Sequence, residues 1–284
     1  MAPTRSILKS GRPPTARQKP SSLSKRATSQ TIRSFHQLNK ALATAEAKGD
    51  GKQADELRRQ IASLGGLESY QIASIQGQAM DRGGDSSVVL MEWLHDVKTV
   101  KVGRKLRMLE VGALSTQNAC SRSGIFDITR IDLNSQGEGI LKQDFMIRPL
   151  PTSDEERFDV LSLSLVLNFV PSPAGRGEML ERTCFFLTSS VNAQFGYDDS
   201  FPSLFLVLPA ACTTNSRFMN EERLALLMAS LGYALRQRKQ TNKLVYYLWT
   251  LRDEPEPLRQ RFEKKEVNSG RSRNNFCIVL EGKV

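Results

Sequence analysis

Residues 109–120 read LEVGALSTQNAC, and the fold of the chain turns on how this stretch is understood. An apolar run, Arg107-Met108-Leu109, enters Glu110-Val111-Gly112, and a polar turn follows. Strand, acid, glycine, turn and helix is how many nucleotide-type cofactor sites begin. The second and third glycines of a pyrophosphate-binding loop are missing. A pyrophosphate needs them, because backbone and helix N-terminus must approach it closely. Their absence counts against a nicotinamide enzyme.

Outward from this stretch the chain alternates. Apolar runs at 106–112, 126–133, 158–167, 203–209, 243–251 and 276–282, with a weaker one at 139–145, are separated by helical patterns, notably 173–188 and 217–231. Alternating strand and helix predicts a parallel sheet covered on both faces. No helix-length pattern separates the last two runs, so that pair is expected to be antiparallel. The expected architecture is therefore α/β, a doubly wound seven-stranded Rossmann-like sheet ending in a reversed strand.

Upstream, residues 31–64 carry helical periodicity broken by KGDG at 48–51, which predicts two helices. Residues 67–82 predict another helix, and VVLMEWLHDV one more, with Asp85 or Ser86 as its cap. His95 stands alone on that helix and is expected to be structural. The N-terminal 1–30 are rich in Ser, Pro, Gly, Lys and Arg and are expected to be disordered. The predicted organisation is a basic tail (1–30), a helical region (31–98) and an α/β domain (104–284).

The 284-residue chain has a formal net charge of +10, and residues 1–40 hold nine Lys/Arg and no Asp or Glu. Such a segment reads either as a nucleic-acid or nuclear-targeting arm or as a solubilising tail. No window is apolar enough for a membrane span, and no signal-peptide core follows the basic start. The four cysteines lie too far apart for a metal site and are expected to be reduced thiols.

In open α/β sheets, ligands bind beyond the carboxyl ends of the strands. Gly112 ends the first strand, and Asp132 ends the second, twenty residues later. A carboxylate at that distance can accept hydrogen bonds from a ribose. Twelve residues on, Asp144-Phe145 can bind an exocyclic amine and pack against a purine. The fourth strand leads to Asn168-Phe169. There the amide either holds the edge of a substrate base, with Phe169 stacking, or caps the next turn. Arg176, Arg182, RQRK at 236–239, Lys264-Lys265 and RSR at 271–273 are candidate phosphate contacts or solvated faces. Trp249, Tyr246 and Tyr247 are expected in the strand core.

This order resembles the class I S-adenosylmethionine-dependent methyltransferases. The resemblance implies that Gly112 passes the methionyl part of the cofactor, Asp132 holds its ribose and Asp144 meets its adenine. Glu110 would then order the loop from beneath. That cofactor carries no phosphate, so one glycine suffices. A closer resemblance spans about 67–282. YQIASIQGQ (70–78), RGGDSS (82–87), LEVGALS (109–115), IDLNS (131–135), FDVLSLSLVLNFVPSPAGRGEML (158–180), LFLVLPAACTTNSRF (204–218) and NNFCIVL (274–280) look like the fungal 25S ribosomal RNA adenine-N1 methyltransferase family. It implies a nucleolar enzyme that acts on large-subunit rRNA or a pre-ribosome; a monomer is the simplest expectation. The helices of 67–98, placed before the first strand, are expected to close over the cofactor as a lid, with Tyr70, Gln71, Ser74 and Gln78 spaced to share one face. An animal branch of the family acts as an S-adenosylmethionine sensor with protein partners, and that is the alternative reading. The basic tail favours the RNA enzyme.

Overall fold

The computed structural model describes residues 25–66, 69, 84–94, 104–135, 137–188, 201–252 and 260–282. The expected helix at 67–82, the lid face of Tyr70, Gln71, Ser74 and Gln78, His95, and the tail up to residue 24 lie outside these residues.

Seven strands form one sheet: β1 (Leu106–Val111), β2 (Phe126–Asp132), β3 (Leu141–Lys142), β4 (Val160–Ser164), β5 (Ser203–Pro209), β6 (Tyr233–Gln240) and β7 (Leu244–Leu251). Their order is β3-β2-β1-β4-β5-β7-β6. The first five run parallel, while β7 is antiparallel to both β5 and β6. The doubly wound sheet with a reversed last strand is thus present.

The central strands are buried on both faces, which is why they read as continuous apolar runs. Alternate residues serve opposite faces. Leu109 and Val111, with Val245, Tyr247 and Trp249, join one apolar cluster; Leu106 and Met108, with Tyr246 and Leu248, join another. Trp249, Tyr246 and Tyr247 are accordingly core residues, and all four cysteines are buried and free.

The first two helices pack on each other, and the others cover the faces of the sheet. α1 (Lys25–Ala47) and α2 (Gly51–Ser63) pair through Leu38, Leu42, Ala45, Ala54 and Leu57. The KGDG break falls between them, and Asp50 caps α2 by accepting from the Gln53 N–H at 3.0 Å. Residues 25–30, read as tail, are already in α1. α3 (Ser87–Trp93) packs Val89 and Leu90 onto the second cluster beside α4 (Ala119–Arg122). On the other face lie α5 (Pro173–Phe186) and, after the short α6 (Ala211–Thr214), α7 (Glu221–Ser230). Pro173 sits in the first turn of α5, where its missing N–H costs nothing, and the Ser172 hydroxyl accepts from the Gly175 N–H at 2.9 Å. Asn220 caps α7, and Glu221 and Glu222 complement its dipole.

Two sequence expectations fail. Residues 276–282 do not pair with 243–251. Phe276, Cys277, Ile278 and Leu280 are buried, but against the helical layer, with a single bridge from Leu280 to Phe262. The partner of β7 is instead β6, whose polar YALRQRKQ had no apolar run to announce it. Two of its cations are paired: Arg238 with Glu221, and Lys239 with Glu92 at 2.7 Å. Charged side chains suit an edge strand, because they discourage pairing with another chain.

Candidate cofactor and substrate site

β1 lies between β2 and β4, so the chain leaves β1 in one direction and reaches β4 in the other. That divergence opens a crevice at the carboxyl ends. Gly112 stands at its mouth with φ +73°, and a Cβ there would fall 2.6 Å from Val166 Cγ2. Glycine is required twice over, by backbone sign and by contact. The Gly112 and Ala113 N–H groups both donate to the Ile131 carbonyl, at 2.8 and 3.1 Å, so the loop starts from a fixed point.

Glu110 lies beneath this loop. Its Oε1 accepts from Asn118 Nδ2 at 2.7 Å. Asn118 in turn caps α4, its Oδ1 accepting from the Ser121 N–H at 2.9 Å and hydroxyl at 2.7 Å. Arg130, opposite Glu110 in the ladder, keeps its Nε 3.8 Å from Oε2, too far for a hydrogen bond. Burial pushes the Glu110 carboxyl up to about 7, and the charge of Asp85 adds to this; the Asn118 bond and Arg130 work against it.

Asp85 is a member of the site that sequence reading placed only as a helix cap. Its Oδ1 accepts from the Ser87 N–H at 2.9 Å and hydroxyl at 2.6 Å. Its Oδ2 accepts from the Ala119 N–H at 2.5 Å. The Ser87 hydroxyl takes the Cys120 N–H at 3.3 Å, and Ser86 pairs with Ser164 at 2.7 Å. Asp85, Ser86 and Ser87 therefore clamp the start of α4 and the end of β4. The motif itself was the available signal; its partners, far along the chain, were not.

Asp132 and Asp144 share one local geometry. Each carboxylate accepts from the N–H two residues on, Asn134 and Met146, at 2.8 Å in both cases. Asp132 closes β2, and its carbonyl accepts from the Gln143 N–H at 2.9 Å. Gly112, Asp132 and Asp144 therefore follow one another along the carboxyl edge of three neighbouring strands. At about 4.8 Å per strand the row spans roughly 10 Å, the scale of a nucleoside. The open backbone at Gly112 and the carboxylates at the next two tips fit a nucleoside-bearing cofactor.

Phe145 does not join that row. Its ring is 2% exposed and packs against Phe186 at 5.2 Å between centroids, with the Arg182 guanidinium 5.7 Å away. The core uses the ring, leaving no face for a purine. The exposed apolar side chains at this edge are Leu133 and Ile147.

Beyond β4 the backbone turns sharply. Leu165 has φ +58°, which costs a non-glycine residue about 1–2 kcal/mol. Its N–H donates to the Val207 carbonyl at 3.0 Å. Strain of this kind gathers at functional sites. The turn brings Val166 to Gly112 and starts the 3₁₀ turn Leu167–Phe169. Leu167 is buried, while Asn168 and Phe169 are half-exposed. The Asn168 Oδ1 is buried and has no hydrogen-bond partner. The cap of α5 is Ser172, so Asn168 is not spent on capping.

Arg176 and Arg182, read as candidate phosphate contacts, serve the fold. Arg176 is 7% exposed; it donates to the carbonyls of Cys277 at 2.7 Å and Pro171 at 3.3 Å and lies 4.8 Å over the Phe276 ring. Burial lowers its pKa. Arg182 donates to the carbonyls of Phe145 and Arg148.

Comparison with known proteins gives the family. The pattern described as 25S rRNA (adenine(2142)-N(1))-methyltransferase, Bmt2, matches residues 55–278. A domain of unknown function matches residues 36–67. The 25S rRNA (adenine(2142)-N(1))-methyltransferase of Saccharomyces cerevisiae is 42% identical over 226 residues, covering 79% of this chain and 63% of that protein. The chain thus spans under two thirds of that relative's length. The 25S rRNA adenine-N(1) methyltransferase of Schizosaccharomyces pombe is 40% identical over 218 residues, covering 75% of this chain and 76% of that protein. Among solved structures, the 16S rRNA methylase RmtB aligns with a TM-score of 0.43 at 12% identity, over 79% of this chain and 98% of that one. The N-methyltransferase NodS from Bradyrhizobium japonicum aligns with a TM-score of 0.40 at 12% identity, over 59% of this chain and 85% of that one. By its match over most of the α/β region and its identity to two curated relatives, this chain belongs to the 25S rRNA (adenine(2142)-N(1))-methyltransferase family, Bmt2.

Proposed function

We propose that this chain uses S-adenosylmethionine to methylate N1 of an adenine in 25S ribosomal RNA. The observation that carries the reading is the row Gly112, Asp132 and Asp144 along the carboxyl edge, beside the turn after β4 that carries the Asn168 amide. Membership of the family supports it. The same proposal places the chain, as a monomer, in the nucleolus with its RNA.

The cofactor supplies an activated methyl group whose leaving thioether is neutral, so no acid has to assist departure. Adenine N1 offers a lone pair and has no proton to lose, so the chain needs no strong base. Its residues then act by holding and aligning. Asp132 would accept from the ribose hydroxyls of the cofactor and Asp144 from its exocyclic amine. Gly112 leaves its backbone open beside them. The target adenine must be unpaired or flipped to enter. The orphan Oδ1 of Asn168 accepts from the N6 amine of the target base and so fixes N1, while Phe169 offers a ring to stack against. The dipoles are in place before reaction, which is what electrostatic preorganisation requires.

The test is transfer from labelled S-adenosylmethionine to unmodified 25S rRNA, followed by mapping of the label. The expected product is N1-methyladenine at one position. Asn168→Ala should lower kcat about tenfold or more, the worth of one hydrogen bond, with cofactor affinity retained. Cofactor binding without transfer would refute the enzyme reading, and full kcat in Asn168→Ala would remove that residue from the site.

A further inference from the structure

The C-terminal segment 260–282 is held at the substrate half of the carboxyl edge. The Asn274 N–H donates to the Asn215 carbonyl at 2.9 Å, in the loop leaving β5. The Ser216 hydroxyl donates to the Phe276 carbonyl at 2.6 Å, and Arg176 holds the Cys277 carbonyl. The Val279 N–H reaches the Pro173 carbonyl at 3.0 Å, just past the turn that carries Asn168 and Phe169. The approach is close enough that a Cβ on Gly177 would fall 1.8 Å from the Val279 oxygen. Between Phe262 and Asn274 the segment loops outward around Arg217, whose carbonyl accepts from the N–H groups of Val267 and Asn268 at 2.8 and 3.0 Å.

This loop carries cations for which the described residues supply few carboxylates. Residues 260–275 hold five Lys/Arg against two carboxylates. Arg261 pairs with Glu263 at 3.2 Å. Among the described residues, Lys264, Lys265, Arg271, Arg273 and Arg217 make no ion pair. Arg217 donates to the Asn275 amide oxygen, Arg273 to the Ser269 carbonyl, and Lys264 sits 4.5 Å over the Phe218 ring. Lys264, Lys265 and Arg271 are exposed. Several cations elsewhere in the domain are committed to the fold. Arg104 is bound bidentately by Asp159, Arg238 and Lys239 are paired, and Arg176 and Arg182 are committed to carbonyls.

We infer that Lys264, Lys265, Arg271 and Arg273, steadied by Arg217 and Phe218, form the docking surface for the phosphates that flank the target adenine. The inference rests on the proposed transfer to RNA and extends it to where the RNA lies. A base that enters beside Asn168 brings its neighbouring phosphates with it, and the cationic loop is anchored against the two loops that border that entrance. Phosphate neutralisation by such groups supplies sequence-independent affinity. A membrane is a poor fit: among the described residues, none of the exposed large apolar side chains lies in 260–282.

The test compares the full chain with a variant carrying Lys264→Ala, Lys265→Ala, Arg271→Ala and Arg273→Ala. The probe is a short fluorescent transcript of the unmodified 25S region. Four lost phosphate contacts should lower the slope of log affinity against log salt by about 3, and weaken binding about 100-fold at 0.15 M salt. Transfer should show a raised KM for RNA with kcat recovered at saturation, and cofactor affinity should stay within about twofold. The charge-retaining variant (Lys264→Arg, Lys265→Arg, Arg271→Lys, Arg273→Lys) should bind as the parent does. If the parent methylates RNA while the alanine variant keeps the parent's slope and affinity, the docking surface is refuted and the function stands. Lost transfer with RNA affinity intact refutes it too, because another partner then uses the loop. Equal loss in the charge-retaining variant refutes the electrostatic basis. A parent that binds the cofactor but neither binds nor methylates RNA refutes the function, and this inference with it.

Discussion

Glu110→Gln tests the site through its electrostatics. The substitution keeps shape and leaves an oxygen to accept from Asn118 Nδ2, so the cap on α4 survives. Only the charge goes. In the folded chain the carboxyl is pushed up to about 7 from an ordinary 4.5, chiefly by burial. Unfolded, Glu110 gives up its proton near pH 4.5; folded, it holds it until near pH 7. Between these values the folded state binds more protons, so stability falls as pH rises through that window. At about 1.4 kcal/mol per unit the loss is on the order of 3 kcal/mol. The Gln variant cannot lose it. Below pH 4.5 the two proteins should therefore be about equally stable, and the variant should gain up to about pH 7 and hold that gain at pH 8. Arg130 does not cancel this, because it sits 3.8 Å from Oε2 and keeps its bond to the Ser121 hydroxyl at 2.8 Å. The assay is urea unfolding of both proteins at several pH values from 4.5 to 8. A variant less stable than the parent at pH 8, or two curves that stay parallel, would refute the reasoning: the Arg130 attraction would then outweigh the burial.

Gly112→Ala should cost about 2 kcal/mol or more, from the positive φ and the 2.6 Å approach to stiff, β-branched Val166, and it should weaken cofactor binding. Thermal unfolding with calorimetric titration checks both, and normal cofactor affinity would return residues 109–120 to an ordinary strand end. Adding Val166→Ala should relieve the contact but not the φ, so it recovers only part of the stability. Arg176→Met should strand the Cys277 and Pro171 carbonyls, at a cost of about 2–4 kcal/mol. Hydrogen exchange should then rise first at 276–280; unchanged protection there would mean that Arg176 does not hold the segment.

What the sequence made legible follows from how each element is stabilised. β5 was read to the residue, and β1 and β7 to within about one, because strands buried on both faces are close to continuously apolar; β2, only partly buried, was read as closely from its alternating apolar positions. β4 was read too long, since nothing local announces the positive φ at Leu165 that ends it. β6 escaped because an edge strand buries one face at most, so its charges read as a basic cluster. Residues 276–282 erred the other way. They are as apolar as a strand, but their carbonyls go to Arg176 and the Ser216 hydroxyl. Burial shows in composition; the identity of a backbone partner does not.

The site divides along the same line. The strand-tip positions of Asp132 and Asp144 could be read locally, because each carboxylate bonds to the N–H two places on, whereas Gly112 could be placed by its strand end although its contacts, with Ile131 and Val166, lie far along the chain. Phe145 was misplaced because the rings and guanidinium that claim it come from α5. The two polar clamps that flank the crevice were not foreseen. Asp85 reaches Ala119 across 34 residues, and Arg176 reaches Cys277 across 101. One fixes the helix after the glycine loop, and the other fixes the segment beside the Asn168 turn. Both hold backbone with a charged side chain, half-buried at Asp85 and buried at Arg176, an arrangement that favours one geometry, because a slipped loop would leave the charge without its partners. The residues that would touch ligand are thus set by local sequence, whereas the rigidity that alignment catalysis needs is built from long-range closures on either side of them.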